Sequence, residues 1–128
     1  QEASKYMPSA EIIEYHHDQK LDAPSGTAIK TAEMMHEANP SLNLSEHKVD
    51  ETELIPGARG GAKHRIPIHS VRLRGFVASQ DVVFGGQGQT LTISHHTIDR
   101  EAFMPGVVLA IRKMPTFKGL RYGLETVL

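Results

Sequence analysis

The sequence contains no cysteine among its 128 residues. This absence excludes a disulfide framework and a thiolate zinc site, and it is compatible with the reducing cytoplasm, which is the location we expect. The formal net charge is only −1, so no basic field is present to attract nucleic acid or an anionic membrane surface. Long apolar runs and a secretory segment are also missing. We therefore expect no nucleic-acid partner and no membrane partner, and a small neutral or anionic molecule instead.

The length of 128 residues is enough for one compact domain, because domains most often have about 100–150 residues. The hydrophobic fraction of 39% and the charged fraction of 23% are typical of a globular protein. The first residue is Gln1 and not methionine. We therefore expect residues 1–128 to be a single domain taken from a longer protein.

The first half of the chain predicts a strand followed by a helix. Residues Glu11 to His16 are rich in β-branched and aromatic types, which favours a strand. Ser25 is a plausible N-cap, and Asn39-Pro40 supplies a helix stop. Between them, apolar residues follow with helical spacing at Ala28, Ile29, Ala32, Met34 and Met35.

The second half predicts mostly strands. The polar stretch 41–64 is long for a structureless loop, and Gly57 to Lys63 within it is either a flexible flap or a solvated connector. Alternating apolar residues predict strands over Ile66–Leu73, Asp81–Phe84 and Thr90–His96. The glycines at 85, 86 and 88 predict a hairpin turn between the last two strands.

The C-terminal part predicts a last helix, capped by Asp99 and running to about Met114. The apolar tail from Leu120 to Leu128 favours another short helix or strand. The order of elements predicts an α+β fold: a mixed β-sheet with helices packed on one face. Since the middle strands have apolar side chains on both faces, we expect the sheet's other face to be used for homo-oligomerisation.

The segment from Glu14 to Ala28 combines three features that suggest a binding or catalytic site. His16 and His17 lie at the end of a strand, Lys20 follows, and Ser25-Gly26-Thr27 opens a helix. The first amides of a helix have no internal partner and favour an anion. Gly26 would let a ligand approach the backbone, Thr27 adds a hydroxyl donor, and a bound anion would favour the protonated form of a nearby histidine. His16 could then act as a general acid.

Simpler interpretations of the same residues stay open. Ser25-Gly26-Thr27 is compatible with helix capping alone, one of the two histidines can be structural, and a lone lysine is usually solvated.

Eight histidines also suggest a metal, but neighbouring residues of a strand point to opposite faces, so neither His16-His17 nor His95-His96 can bind one ion together. We expect no metal site. The glycines at 85–88 lead into a strand and not a helix, which excludes a dinucleotide loop there.

The residues around the two histidines resemble a known family. His16-His17, Lys20 and Asp22-Ala23-Pro24-Ser25-Gly26-Thr27-Ala28 closely resemble the signature of dihydrodipicolinate reductases. The resemblance continues through His69–Gly75 and Asp81–Ile93 and covers nearly the whole chain.

This resemblance implies a C-terminal substrate-binding and oligomerisation domain, with the N-terminal dinucleotide-binding (Rossmann) domain absent from the chain. It assigns proton transfer to His16 and Lys20, and binding of the carboxylates of a small dicarboxylate substrate to His17, Gly26 and Thr27. The cofactor is expected to be NADH or NADPH, bound mainly by the absent domain, so the isolated chain should have no turnover. The resemblance also implies a homotetramer in which the sheets of the subunits join.

Two other functions are compatible with the sequence. The chain could be an oligomerisation module in which the histidine and lysine segment is incidental. It could also be part of a related two-domain dehydrogenase that acts on another small acid.

Overall fold

The computed structural model describes residues 1–44, 49 and 51–128. The chain divides into two compact units, Gln1–His96 and Thr97–Leu128. The strands are β1 (Ser9–His16), β2 (Gly61–Lys63), β3 (Ile66–Arg72), β4 (Ala78–Gly86) and β5 (Gln89–Thr97), and the α-helices are α1 (Gly26–Ala38) and α2 (Met104–Lys113). Short 3-10 helices cover Ala3–Lys5, Arg100–Phe103, Met114–Thr116 and Leu124–Thr126.

The strands form one mixed sheet in the order β2-β3-β1-β4-β5. The central strand β1 is parallel to β3 and antiparallel to β4, while β2 is antiparallel to β3. The predicted α+β fold with a mixed sheet is therefore confirmed. The use of one sheet face for homo-oligomerisation stays a prediction.

The hydrophobic core lies between the sheet and α1. Ile12 is completely buried, and the strand register places it beside Ile68 of β3 and Val82 of β4. The helix contributes small and flexible side chains to the same cluster, namely Ala28, Ala32 and Met35. Since alternate residues of a strand share a face, Glu14 and His16 continue the same row beyond the apolar core.

The prediction that Gly57 to Lys63 is a flap or a connector is wrong for the C-terminal end of this segment. Gly61–Lys63 pairs with β3 and forms the edge strand β2. Before it, the chain makes a turn in which the carboxylate of Glu53 accepts the amides of Gly57 and Arg59, at 2.9 and 3.0 Å. Sequence periodicity could not find β2 because three residues are too few for an alternation to be visible.

The predicted glycine turn is confirmed at Gly88, which has a φ of 69°. Gly85 and Gly86 instead extend β4 past the predicted end at Phe84. The reason is strand pairing, because Ser9 of β1 lies opposite Gly85 and donates its hydroxyl to the Gly85 carbonyl at 3.1 Å.

The second unit contains the predicted last helix. The side chain of Asp99 accepts the amide of Glu101 at 2.8 Å, as an N-cap does, but the first turn, Arg100–Phe103, is a 3-10 helix. The α-helix begins only at Met104, since Pro105 has no amide to donate to a preceding turn. The tail contains the short helix Leu124–Thr126. Within the described ranges, no helix has the length and apolar character needed to cross a bilayer.

Replacing Ile12 by alanine tests the placement of the core. We expect the free energy of unfolding to fall by about 2–5 kcal/mol, because the lost side chain leaves a cavity between the sheet and α1. Leu54→Ala is the control, since Leu54 is 92% exposed and its truncation should change stability little. Urea denaturation followed by circular dichroism measures both, and equal losses would contradict this core.

Candidate functional site

The candidate site begins where β1 ends. His16 is the last residue of this strand, and its side chain is mostly buried, with 15% of its surface exposed. The Nδ1 atom of the imidazole contacts the Oε2 atom of Glu14, two residues earlier on the same face. The ring is therefore oriented by the protein at one of its two nitrogens.

The helix that follows opens as the sequence predicted. The hydroxyl of Ser25 accepts the amide of Ala28 at 3.2 Å, which confirms Ser25 as the N-cap of α1. Gly26 and Thr27 are exposed, and a Cβ atom added to Gly26 would meet no other atom within 4 Å. The first amides of α1 have no acceptor inside the helix. An anion can therefore reach them from solvent.

Lys20 lies in the loop between β1 and α1 as part of an ion pair. Its Nζ atom is 2.6 Å from Oδ1 of Asp22, and this contact with the ammonium lowers the pKa of the Asp22 carboxyl. Its amide donates to the carbonyl of His17 at 3.2 Å, which closes a turn. The side chain of His17 is partly buried. Lys20 is therefore paired with Asp22 while remaining partly exposed, and its role in binding or catalysis stays a prediction.

Glu14 is the residue of this region that sequence analysis missed. Its side chain is completely buried, and the guanidinium of Arg72 binds both of its oxygens, at 2.8 and 3.0 Å. Burial alone would raise the pKa of Glu14, but hydrogen bonds from Arg72, Ser70 and His16 outweigh burial and hold the pKa below its ordinary value. The sequence signal that could have identified Glu14 is its position two residues after Ile12, which places a charged residue on the apolar face of β1.

One network joins His16, Lys20 and the N-cap of α1. The Oε1 atom of Glu14 accepts the amide of Ser25 at 3.3 Å, so the carboxylate that contacts His16 also holds the start of α1. Arg72 in turn donates to the carbonyl of Asp22 at 2.8 Å, and Asp22 is the partner of Lys20. The strand end, the loop and the helix start are thus tied to the same buried ion pair.

The described residues offer no obvious place for a metal or a nucleotide. They contain no group of three or more histidine, aspartate or glutamate side chains placed to bind a metal ion. The glycine-rich segments of the chain, 57–61 and 85–88, lead into strands β2 and β5. A dinucleotide loop requires a strand, a glycine turn and a helix in that order.

Comparison with known proteins identifies the family. The model of the family described as dihydrodipicolinate reductase, C-terminus, matches residues 1–128. The chain belongs to this family. The resemblance found in the sequence is therefore confirmed.

Individual relatives agree with this assignment. A protein of Gloeothece citriformis named 4-hydroxy-tetrahydrodipicolinate reductase is 59% identical over 99% of this chain and 46% of the relative. A protein of the same name in Geobacillus thermodenitrificans is 57% identical over 98% of this chain and 47% of the relative. A solved structure of dipicolinate-bound dihydrodipicolinate reductase from Paenisporosarcina sp. TG-14 is 51% identical, with a TM-score of 0.86 over 98% of this chain and 47% of that chain. The chain spans about half the length of the curated relatives it matches.

The buried carboxylate of Glu14 should make the chain sensitive to acid. Because its pKa lies below the ordinary value of 4.5, Glu14 contributes stability above that pH, and the contribution is lost as the pH falls through the lowered pKa. We expect Glu14→Gln to cost about 3 kcal/mol at neutral pH, since it leaves the charge of Arg72 uncompensated. The variant should also lose less stability than the unchanged chain between about pH 6 and pH 3.

Urea denaturation at a series of pH values measures both effects. Glu2→Gln is the control, because Glu2 is exposed and its contacts with Lys5 and with the hydroxyl of Tyr6 should contribute little. The same pH dependence in Glu14→Gln and in the unchanged chain would show that this carboxyl is not held ionised by its neighbours.

Proposed function

We propose that this chain is the substrate-binding and catalytic-residue domain of a nicotinamide-dependent reductase that converts 4-hydroxy-tetrahydrodipicolinate to tetrahydrodipicolinate in lysine and diaminopimelate biosynthesis. Family membership and the names of the relatives support the reaction. The observation that carries the proposal is the exposed start of α1, joined to His16 through the buried carboxylate of Glu14. An anion-binding element and a proton-transferring group are thereby attached to the same anchor.

The start of α1 would bind one carboxylate of the substrate. The amides of Gly26 and Thr27 lie at the positive end of the helix dipole, and the Thr27 hydroxyl adds a third donor. His17 would bind the other carboxylate. A relative whose solved structure contains bound dipicolinate, a pyridine with two carboxylates, supports a substrate of this class.

His16 and Lys20 would supply protons. Loss of the substrate's hydroxyl group as water leaves a conjugated imine. Hydride addition to this imine leaves negative charge on the substrate, which a general acid neutralises. Since Nδ1 of His16 faces Glu14, Nε2 is the ring nitrogen available to the substrate, and a proton on it can be transferred there. The ammonium of Lys20, held by Asp22, would be the second proton donor. Holding these groups at fixed distances from the bound acid lowers the entropic barrier of the reaction.

The nicotinamide cofactor, NADH or NADPH, would supply the hydride and would be bound mainly by an N-terminal dinucleotide-binding domain outside this chain. Two observations support this division: the glycine-rich segments lead into strands, and the chain spans about half of its relatives. The isolated chain should therefore bind substrate without turnover. We place the enzyme in the cytoplasm, as expected for a cysteine-free biosynthetic enzyme.

We also propose that the enzyme is a homotetramer assembled through the sheet. The strand β5 lies at the edge of the sheet and exposes Leu91 and Ile93. An exposed edge strand with apolar side chains is a template for pairing with another chain. Pairing of this kind would cover both the backbone groups of the edge and these side chains.

Replacing Gly26 by alanine tests the anion site. The fold should tolerate the change, because the added Cβ atom meets nothing within 4 Å and no positive φ is required. The methyl group would nevertheless occupy the approach to the helix amides. We expect Gly26→Ala to weaken binding of pyridine-2,6-dicarboxylate by about tenfold or more, roughly the loss of one hydrogen bond to a charged group.

Isothermal titration of the 128-residue chain measures this affinity. Gly61→Ala is the matched control, because a Cβ atom there also meets nothing within 4 Å. A chain that binds the dicarboxylate no better than acetate would favour the oligomerisation module over the reductase. Unchanged affinity in Gly26→Ala would exclude the start of α1 as the binding element.

Replacing His16 or Lys20 by alanine in the full-length protein tests the proton donors. Each change should lower kcat by about 10²–10⁴-fold, as removal of a general acid does, while KM changes less. Lys5→Ala is the control, since Lys5 forms an exposed pair with Glu2 before β1 begins, whereas the candidate site lies where β1 ends. Cofactor oxidation followed at 340 nm measures the rate, and unchanged kcat in both variants would remove these residues from the chemistry.

A further inference from the structure

We propose that Glu14 is a positioning residue of the reaction. It fixes the tautomer of His16 and keeps the imidazole ring at a fixed distance from the helix start that binds substrate. This inference rests on the proposed function. Its basis is that one carboxylate contacts the imidazole through Oε2 and the amide of Ser25 through Oε1.

The contact with His16 decides which ring nitrogen bears a proton. An ionised carboxylate only accepts hydrogen bonds, so Nδ1 of His16 must be the donor. In the neutral ring, Nε2 then has a free lone pair, and in the imidazolium Nε2 has the transferable proton. The carboxylate also stabilises the imidazolium, as in other histidine and carboxylate pairs of enzymes.

Glu14 can do this because Arg72 keeps it ionised. The guanidinium reaches both carboxylate oxygens, and the pKa of Glu14 is lowered although burial opposes this. A paired arginine fork is the strongest of the common hydrogen-bond partners of a carboxylate. The other charged groups joined to this network are the loop residues Lys20 and Asp22, which pair with each other.

The contact with Ser25 connects Glu14 to the start of α1. Ser25 caps α1 through its hydroxyl, and its amide donates to Glu14. The first turn of the helix is therefore attached to the carboxylate that orients His16. A proton donor and an anion site that share one buried anchor keep their separation when the substrate binds.

The change Glu14→Gln has a defined effect on His16. The new NH2 group cannot lie at the Oε1 position without facing two donors, Nη2 of Arg72 and the amide of Ser25. At the Oε2 position it faces Nη1 of Arg72 and Nδ1 of His16. Of these four donors, only His16 can adapt, by moving its proton to Nε2. The variant should therefore favour the opposite tautomer.

Long-range ¹H–¹⁵N correlation spectra of the labelled 128-residue chain at mildly alkaline pH report this tautomer directly. In the unchanged chain we expect a protonated Nδ1 in His16, and in Glu14→Gln a shift of the population toward protonated Nε2. The matched control is Glu11→Gln: Glu11 lies on β1 between Arg59 and His69, and its replacement should leave the His16 signals unchanged. An unchanged tautomer in Glu14→Gln would overturn the proposal.

Kinetics of the full-length protein give a second readout. Glu14→Gln should lower kcat by about 10–100-fold, by analogy with the loss of general acid–base catalysis. The double variant Glu14→Gln with Arg72→Met removes both charges, so it should recover stability. If kcat recovers with stability, Glu14 is only structural and the proposal fails. Absence of reductase activity in the unchanged full-length protein would instead reject the proposed function, whatever the tautomer.

Discussion

The ion pair between Glu14 and Arg72 is the interaction on which the candidate site depends. Burying a carboxylate is costly unless its oxygens are paired and hydrogen-bonded, and here the partners come from separate parts of the chain. Arg72 belongs to β3, and the amide of Ser25 precedes α1. The fold must therefore bring these segments together before Glu14 can be buried, so the same step that completes the core also assembles the site.

The apolar part of β1 makes this arrangement rigid. Ala10 and Ile12 are buried against α1, and Glu14 and His16 continue the same face by the two-residue period of the strand. A side chain at the end of a strand anchored in a packed core has little freedom to move. His16 can therefore be oriented by a single carboxylate.

Much of this could be predicted from local sequence, but the central ion pair depends on distant residues. The N-cap at Ser25 is set by the residues next to it, β-branched and aromatic residues were sufficient for β1, and alternation was sufficient for β3 and β5. The ion pair was missed because Arg72 lies 58 residues after Glu14, and the strand period indicates a face but not a partner. The edge strand Gly61–Lys63 was missed for a different reason: its partner β3 follows directly, but three residues are too few for an alternation to be visible.

Helix stability does not explain why position 26 is a glycine. Alanine is preferred to glycine within a helix by up to about 1 kcal/mol, no atom of the protein would obstruct a Cβ atom there, and the backbone does not need a positive φ. Neither packing nor conformation therefore calls for glycine. A ligand that must approach the amides of Gly26 and Thr27 does call for it, because a side chain would occupy the same space. Under the proposed function, the cost in helix stability would be a consequence of binding an anion at a helix start that the protein itself leaves open.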